Sequence, residues 1–172
     1  MGTRLARLGR RQANLFGFAA CVALIGYALY AQYGLGLEPC PLCILQRIAV
    51  IVVGLLFLVA ALHDPAGRGS RVYAALISLV ALAGIGVAAR QLWIQAQPPG
   101  SVAECGATLD YMLDVLPPGE VLMKVLTGSG ECSKIDWTFL GLSMPAWVLA
   151  ALLALAAWGV AANWGRGGPV RG

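Results

Sequence analysis

Four stretches of this chain run for about the length of a bilayer crossing with almost no charge, and this limits the folds open to it more than any other feature. Leu15 to Tyr33 is charge-free over 19 residues, Val72 to Ala89 over 18 and Met144 to Trp164 over 21. Leu42 to Leu62 carries one charge, Arg47, near one end, where a long side chain can reach the interface. At about 1.5 Å per helical residue, roughly 20 residues cross the hydrocarbon core. Backbone amides in lipid must be satisfied within their own segment, and the sequence has no alternating pattern of barrel strands, so a barrel is excluded. Charged residues make up only 12% of the chain and hydrophobic ones 59%, against about 25% charged in an ordinary soluble domain. The reading is an all-α membrane protein. It is a four-transmembrane-helix bundle in one domain over 1–172, with spans at about 14–33, 42–62, 71–95 and 144–164.

The net charge of +4 orients the chain rather than recruiting nucleic acid, because the arginines flank apolar runs instead of forming a patch with interleaved aromatics. Arg4, Arg7, Arg10 and Arg11 precede the first span, Arg68 and Arg71 lie between the second and third, and Arg166 and Arg171 follow the fourth. Seven of the eight acidic residues fall on the other side. Both termini are therefore expected in the cytoplasm, with outer loops at 34–41 and 96–143. A cleaved signal peptide competes for the N-terminus, but the first apolar run is span-length and no convincing small-residue cleavage site closes it. Cys21 then reads as a small buried hydrophobe.

The other four cysteines, Cys40, Cys43, Cys105 and Cys132, fall in or beside the outer loops, an even number on a face that permits disulfides. Closing the 28 residues from Cys105 to Cys132 stabilises a loop by roughly 3–4 kcal/mol in the chain-entropy model. A bridge between Cys40 and Cys43 closes almost no loop, so chemistry explains that pair better than stability. Pro41 suits the first position of a helix, making Cys40 a candidate N-cap and placing Cys43 in the first turn, where free N–H groups favour a thiolate. Arg47, four residues further on the same face, adds a permanent positive charge or merely anchors the helix at the interface. Half of a zinc site is the other reading of the pair, but the remaining two cysteines are 27 positions apart and His63, the single histidine, is expected on the opposite face. No metal is expected. Cys105 with Cys132 reads as a structural staple or a second exchanging pair, and spacing alone leans towards the staple.

The long outer loop breaks at Pro117-Pro118-Gly119 before Glu120 to Leu126, a short apolar helix candidate with Glu120 and Lys124 on one edge. Such an amphipathic helix lies on the membrane surface or packs on the bundle. Gly128-Ser129-Gly130 then gives Cys132 a flexible approach.

Cys40-Pro41-Leu42-Cys43 with Arg47, then Cys105, Gly128 to Cys132, Trp137, and Phe139-Leu140-Gly141-Leu142-Ser143-Met144-Pro145 with Trp147 closely resemble the disulfide bond formation protein B family, DsbB, from about Asn14 to Trp164. The resemblance implies an inner-membrane oxidoreductase that reoxidises a periplasmic DsbA-like thiol oxidase and passes the electrons to ubiquinone or menaquinone. It also implies that Cys105 forms the mixed disulfide with the partner, Cys132 exchanges with Cys40, and Cys43 faces the quinone with Arg47 beside it. Family members often have histidine where this chain has Gln91. Glutamine can donate a hydrogen bond to a quinone carbonyl but cannot carry a proton's charge. Neighbouring Arg90 either compensates or anchors at the interface. Two other classes of function stand beside this one. A vitamin K epoxide reductase-like enzyme is disfavoured because its CxxC sits in the last span, and a non-catalytic scaffold with stapled loops would hold a thiol count indifferent to quinone.

Overall fold

The computed structural model describes residues 9–65, 67–98, 114–127 and 130–164. Arg4, Arg7, Arg166, Arg171 and Cys105 lie outside the described residues. Four long helices carry the apolar runs: α1 Arg10–Tyr33, α2 Pro41–His63, α3 Arg68–Gln95 and, after a short α4 Pro118–Thr127, α5 Met144–Asn163. Each of these four is long and apolar enough to cross a membrane, and the chain is a multi-pass membrane protein.

The helices begin and end where local chemistry dictates. Cys40 caps α2 with extended backbone (φ −67°, ψ 162°) and Pro41 takes the first helical position, where its missing N–H costs nothing. At the far end of α2 the chain reverses through Asp64 in the left-handed region (φ 40°), whose N–H reaches the Ala60 carbonyl at 3.0 Å. Between α4 and α5, Thr138–Phe139 and Leu142–Ser143 pair antiparallel, Thr138 opposite Ser143 and Phe139 opposite Leu142. Leu140 and Gly141 form the two-residue turn with φ 53° and 78°, the positive pair that a tight hairpin requires and that glycine adopts without strain. This hairpin lies outside the all-helical expectation; its short alternation is hidden in a motif that reads as the entry to the last span.

Around the bundle α1 packs on α2, α2 on α3 and α3 most extensively on α5, while α1 and α5 touch over a shorter stretch. Close approach of α3 and α5 depends on small residues, as is usual between helices in lipid. A methyl group at Gly159 would stand 2.7 Å from Ile77, and one at Gly84 would stand 2.8 Å from Leu152. The central core gathers Val53, Phe57, Ile77 and Leu152, with Cys21 buried beside them. Phe16, Leu62, Leu79 and Leu82 point outward, each more than half exposed. Apolar surface of that extent belongs against acyl chains rather than water.

The amphipathic helix α4 does not stand clear of the bundle. Val121 and Val125 are buried in one cluster with Cys40, Leu42, Ile94 and Cys132, which puts α4 over the end of α2 and α3. Met123 on its other side is 69% exposed.

Candidate functional site

The capping geometry at the start of α2 sets the sulfur positions. The Cys43 backbone N–H donates to Cys40 Sγ at 3.4 Å, and the two sulfurs lie 2.9 Å apart. Cys132, carried by the 3-10 turn Gly130–Ser133, is buried and hydrogen-bonds to Cys40. Three of the four anticipated cysteines thus meet at one place, with Cys40 in the middle. Hydrogen bonding to Cys132 and Cys43, followed by burial, pushes the Cys40 thiol up, so that it holds its proton.

Cys43 faces the other way. It is half-buried and lines a cavity of about 740 Å³ that opens between α1 and α5, with Val50 of α2 and Leu24 and Ile25 of α1 on its apolar wall. Arg47, Gln46 and Gln91 supply polar groups to the same wall. Arg47 Nη1 donates to Gln32 Oε1 at 2.5 Å and Nη2 to the Ala28 carbonyl at 3.1 Å, so α1 fixes the guanidinium at the cavity's edge. Gln91 is 3% exposed on α3, and its Nε2 lies 3.3 Å from each of Cys40 Sγ and Cys43 Sγ. Arg90 stacks on Trp93, its guanidinium carbon 4.3 Å from the ring centre.

The mouth is roofed by aromatic rings. Tyr27 meets Trp137 edge-on at 6.0 Å, Trp137 stacks on Phe139 at 6.1 Å, and Phe139 meets Trp147 at 5.8 Å. Trp147 Nε1 also donates to the Phe139 carbonyl at 3.1 Å, tying the hairpin to α5. These rings and Gln46 on the cavity wall, with Gln32 behind Arg47, are the groups that spacing arguments do not single out. Gln46 carried a signal nonetheless, as an uncharged polar residue inside an apolar span.

A small apolar chamber with one thiol and a few hydrogen-bond donors at its head, backed by two more cysteines outside it, is suited to passing electrons from sulfur to a lipid-soluble acceptor. The model of the family described as "Disulfide bond formation protein DsbB" matches residues 10–162. The chain belongs to the DsbB family. Curated relatives carry the name Disulfide bond formation protein B. The one from Methylococcus capsulatus is 51% identical over 154 residues, covering 90% of this chain and 94% of its own. That from Xanthomonas campestris is 48% identical over 164 residues, covering 95% of both chains. That from Chromobacterium violaceum is 51% identical over 148 residues, covering 86% of this chain and 89% of its own. As a DsbB-family member the chain is a membrane protein of disulfide bond formation, and its sulfur cluster lies at one end of the four-helix bundle.

Proposed function

We propose that this protein is a protein-disulfide:quinone oxidoreductase of the bacterial inner membrane, taking electrons from a periplasmic DsbA-like thiol oxidase and delivering them to ubiquinone or menaquinone. The observation that carries the reading is the division of labour among three sulfurs. Cys43 lines the apolar cavity, while Cys40 turns to Cys132. A route is thereby laid from the loop to the chamber.

Each exchange requires a thiolate attacker and a leaving thiol aligned on one sulfur–sulfur axis. In the proposed order the partner's dithiol attacks Cys105, releasing Cys132 and forming the mixed disulfide. The partner's second thiol then resolves it, leaving Cys105 and Cys132 reduced and the partner oxidised. Cys132 next attacks Cys40 of the Cys40–Cys43 disulfide, and Cys105 closes the Cys105–Cys132 bridge, so that Cys40 and Cys43 hold the two electrons. A quinone held in the cavity supplies the two-electron sink.

The residues present fit such a group. The chamber's apolar wall suits a flat ring with an isoprenoid tail, and the donors of Arg47 and Gln91 at its head suit two carbonyl acceptors. Trp137, Phe139 and Trp147 add aromatic faces to the mouth of the same chamber, which suit a flat ring. The arginine asymmetry supports a proposed orientation with this end of the bundle in the periplasm and both termini in the cytoplasm. An impermeant maleimide applied to reduced spheroplasts is expected to label the exposed-side cysteines and to spare Gly67→Cys; labelling of the latter overturns the orientation. The activity itself is tested with the purified chain, a reduced thioredoxin-like oxidase and a short-chain quinone. Quinone-dependent oxidation of the partner is expected, and a partner that stays reduced overturns the reading.

A further inference from the structure

Gln46 takes no part in the electron route described above. It is 3% exposed within α2, and its Nε2 donates to Gln91 Oε1 at 2.6 Å. A carboxamide has one accepting end and one donating end. With its carbonyl held by Gln46, Gln91 keeps its NH2 3.3 Å from the sulfurs of both Cys40 and Cys43, while its Oε1 lies farther off and accepts from the Cys43 thiol at 3.6 Å. We propose that Gln46 is a positioning residue that locks the Gln91 amide with its N–H groups aimed at the Cys40–Cys43 pair, so that a neutral side chain solvates the charge that develops on sulfur.

The alternative orientation shows why a lock is needed. Turned by half a rotation, Gln91 would bring its carbonyl oxygen, in place of its NH2, nearest to both sulfurs and so against an anionic one. In a chamber of low dielectric that contact is strongly unfavourable, whereas donors aimed at the charged form favour it. Arg47 does not displace this role, since its guanidinium is hydrogen-bonded to Gln32 and Ala28 on α1. Two glutamines buried in apolar helices are also costly unless paired, and here the Gln46 amide satisfies the Gln91 carbonyl while the Gln91 NH2 serves the sulfurs.

The inference rests on the proposed quinone reading for its electron acceptor only. When the reduced pair is oxidised, one S–S bond forms between Cys40 and Cys43, and two electrons and two protons leave the thiols to convert quinone to quinol. Hydrogen bonds to the sulfurs stabilise the reduced pair, thiolate included, relative to the disulfide. They therefore make the pair more oxidising. This effect is present with or without quinone.

The test uses the full chain carrying Gln46→Met or Gln91→Met, equilibrated with glutathione buffers in the absence of quinone. The equilibrium constant for reducing the pair is expected to fall about tenfold, which for a two-electron couple is roughly 30 mV towards more reducing. Alkylation of Cys43 near neutral pH slows by about fivefold as the thiolate fraction falls. Gln46→His, whose ring N–H can still donate to the Gln91 carbonyl, restores most of both. In quinone turnover the Gln46→Met loss falls mainly on kcat, whereas Gln91→Met, which also removes a donor to the quinone, raises the quinone KM as well. Unchanged potentials and alkylation rates overturn the proposal, as does a loss of turnover that follows a lowered Tm with the potential unmoved. Should the methionine variants not fold, isotope-edited infrared spectra of glutamine-labelled parent protein decide. Side-chain amide bands that shift between the reduced and oxidised pair are expected, and bands that stay fixed overturn the lock. If the parent shows no quinone turnover while the potentials shift as expected, the quinone reading falls and the positioning role stands.

Discussion

The seam between α1 and α5 is built in opposite ways at its two ends. At one end Asn14 and Asn163, 0% and 1% exposed, exchange side-chain amide bonds of 3.1 and 2.9 Å. Trp158 Nε1 donates to the Ala13 carbonyl at 2.8 Å, and the Phe16 ring lies against Trp158. At the other end the same two helices stand apart around the cavity, and the rings of the hairpin bridge the space between Tyr27 and Trp147. A polar group in lipid is costly until paired. The asparagines pair with each other and have little capacity left, so that end only holds helices together. Arg47 and Cys43 retain capacity and turn it to an open chamber, so that end can do chemistry.

The largest effect that sharpens this contrast is expected from Cys43→Ser, which removes the one described thiol on the cavity wall and should reduce quinone-coupled turnover to the rate without protein. Asn14→Leu should leave turnover nearly intact. If both variants lost activity equally with their folds preserved, the functional distinction between the ends would fail.

Next comes the partner's point of entry. A thioredoxin-like partner lacking its second active cysteine cannot resolve its own mixed disulfide and should remain attached at Cys105, as peptide mapping of the unreduced adduct would show. Attachment mainly at Cys40 or Cys43, or full turnover in Cys105→Ser, would instead make the long loop a staple only.

A smaller change is expected at the cavity's edge. Arg47→Leu should weaken apparent quinone affinity by about tenfold, close to 1.4 kcal/mol. Arg47→Lys should recover part of that, since it keeps the charge without the planar fork that spans Gln32 and Ala28. An unaltered affinity in Arg47→Leu would leave this residue an interfacial anchor.

At the closed end the expected losses are in stability. Removing one asparagine strands the other, so Asn14→Leu or Asn163→Leu alone should cost about 1–2 kcal/mol, measured by unfolding in detergent. The double variant should cost less than the two losses added together. Strict additivity would mean that the amides do not act as a pair.

The smallest effect concerns pH. The Cys40 thiol is raised by its hydrogen bonds to Cys132 and Cys43, so the folded, reduced protein keeps a proton that the unfolded chain releases above about pH 8.5. The reduced fold should therefore lose stability as pH rises beyond that point. Below it the contribution is fully present. Alkylation of Cys40 that followed the pH profile of a free cysteine would contradict the buried, hydrogen-bonded thiol.

Much of this architecture is legible in the residues. Runs of span length with one internal charge dictate four helices, because lipid leaves the backbone no partner outside its own segment. Cys40-Pro41-Leu42-Cys43 announces an N-cap and a first-turn thiol, since proline's fixed φ and missing N–H are local properties. What periodicity does not contain is which polar groups meet across helices. Gln46 and Gln91 are 45 positions apart, Asn14 and Asn163 are 149 apart, and each pair exists only once α2 lies on α3 and α1 on α5. The turning of Cys43 to the chamber and of Cys40 to Cys132 is decided in the same way. A helix fixes the angle between two of its side chains, but only packing against its neighbours determines which one faces a cavity and which a second sulfur.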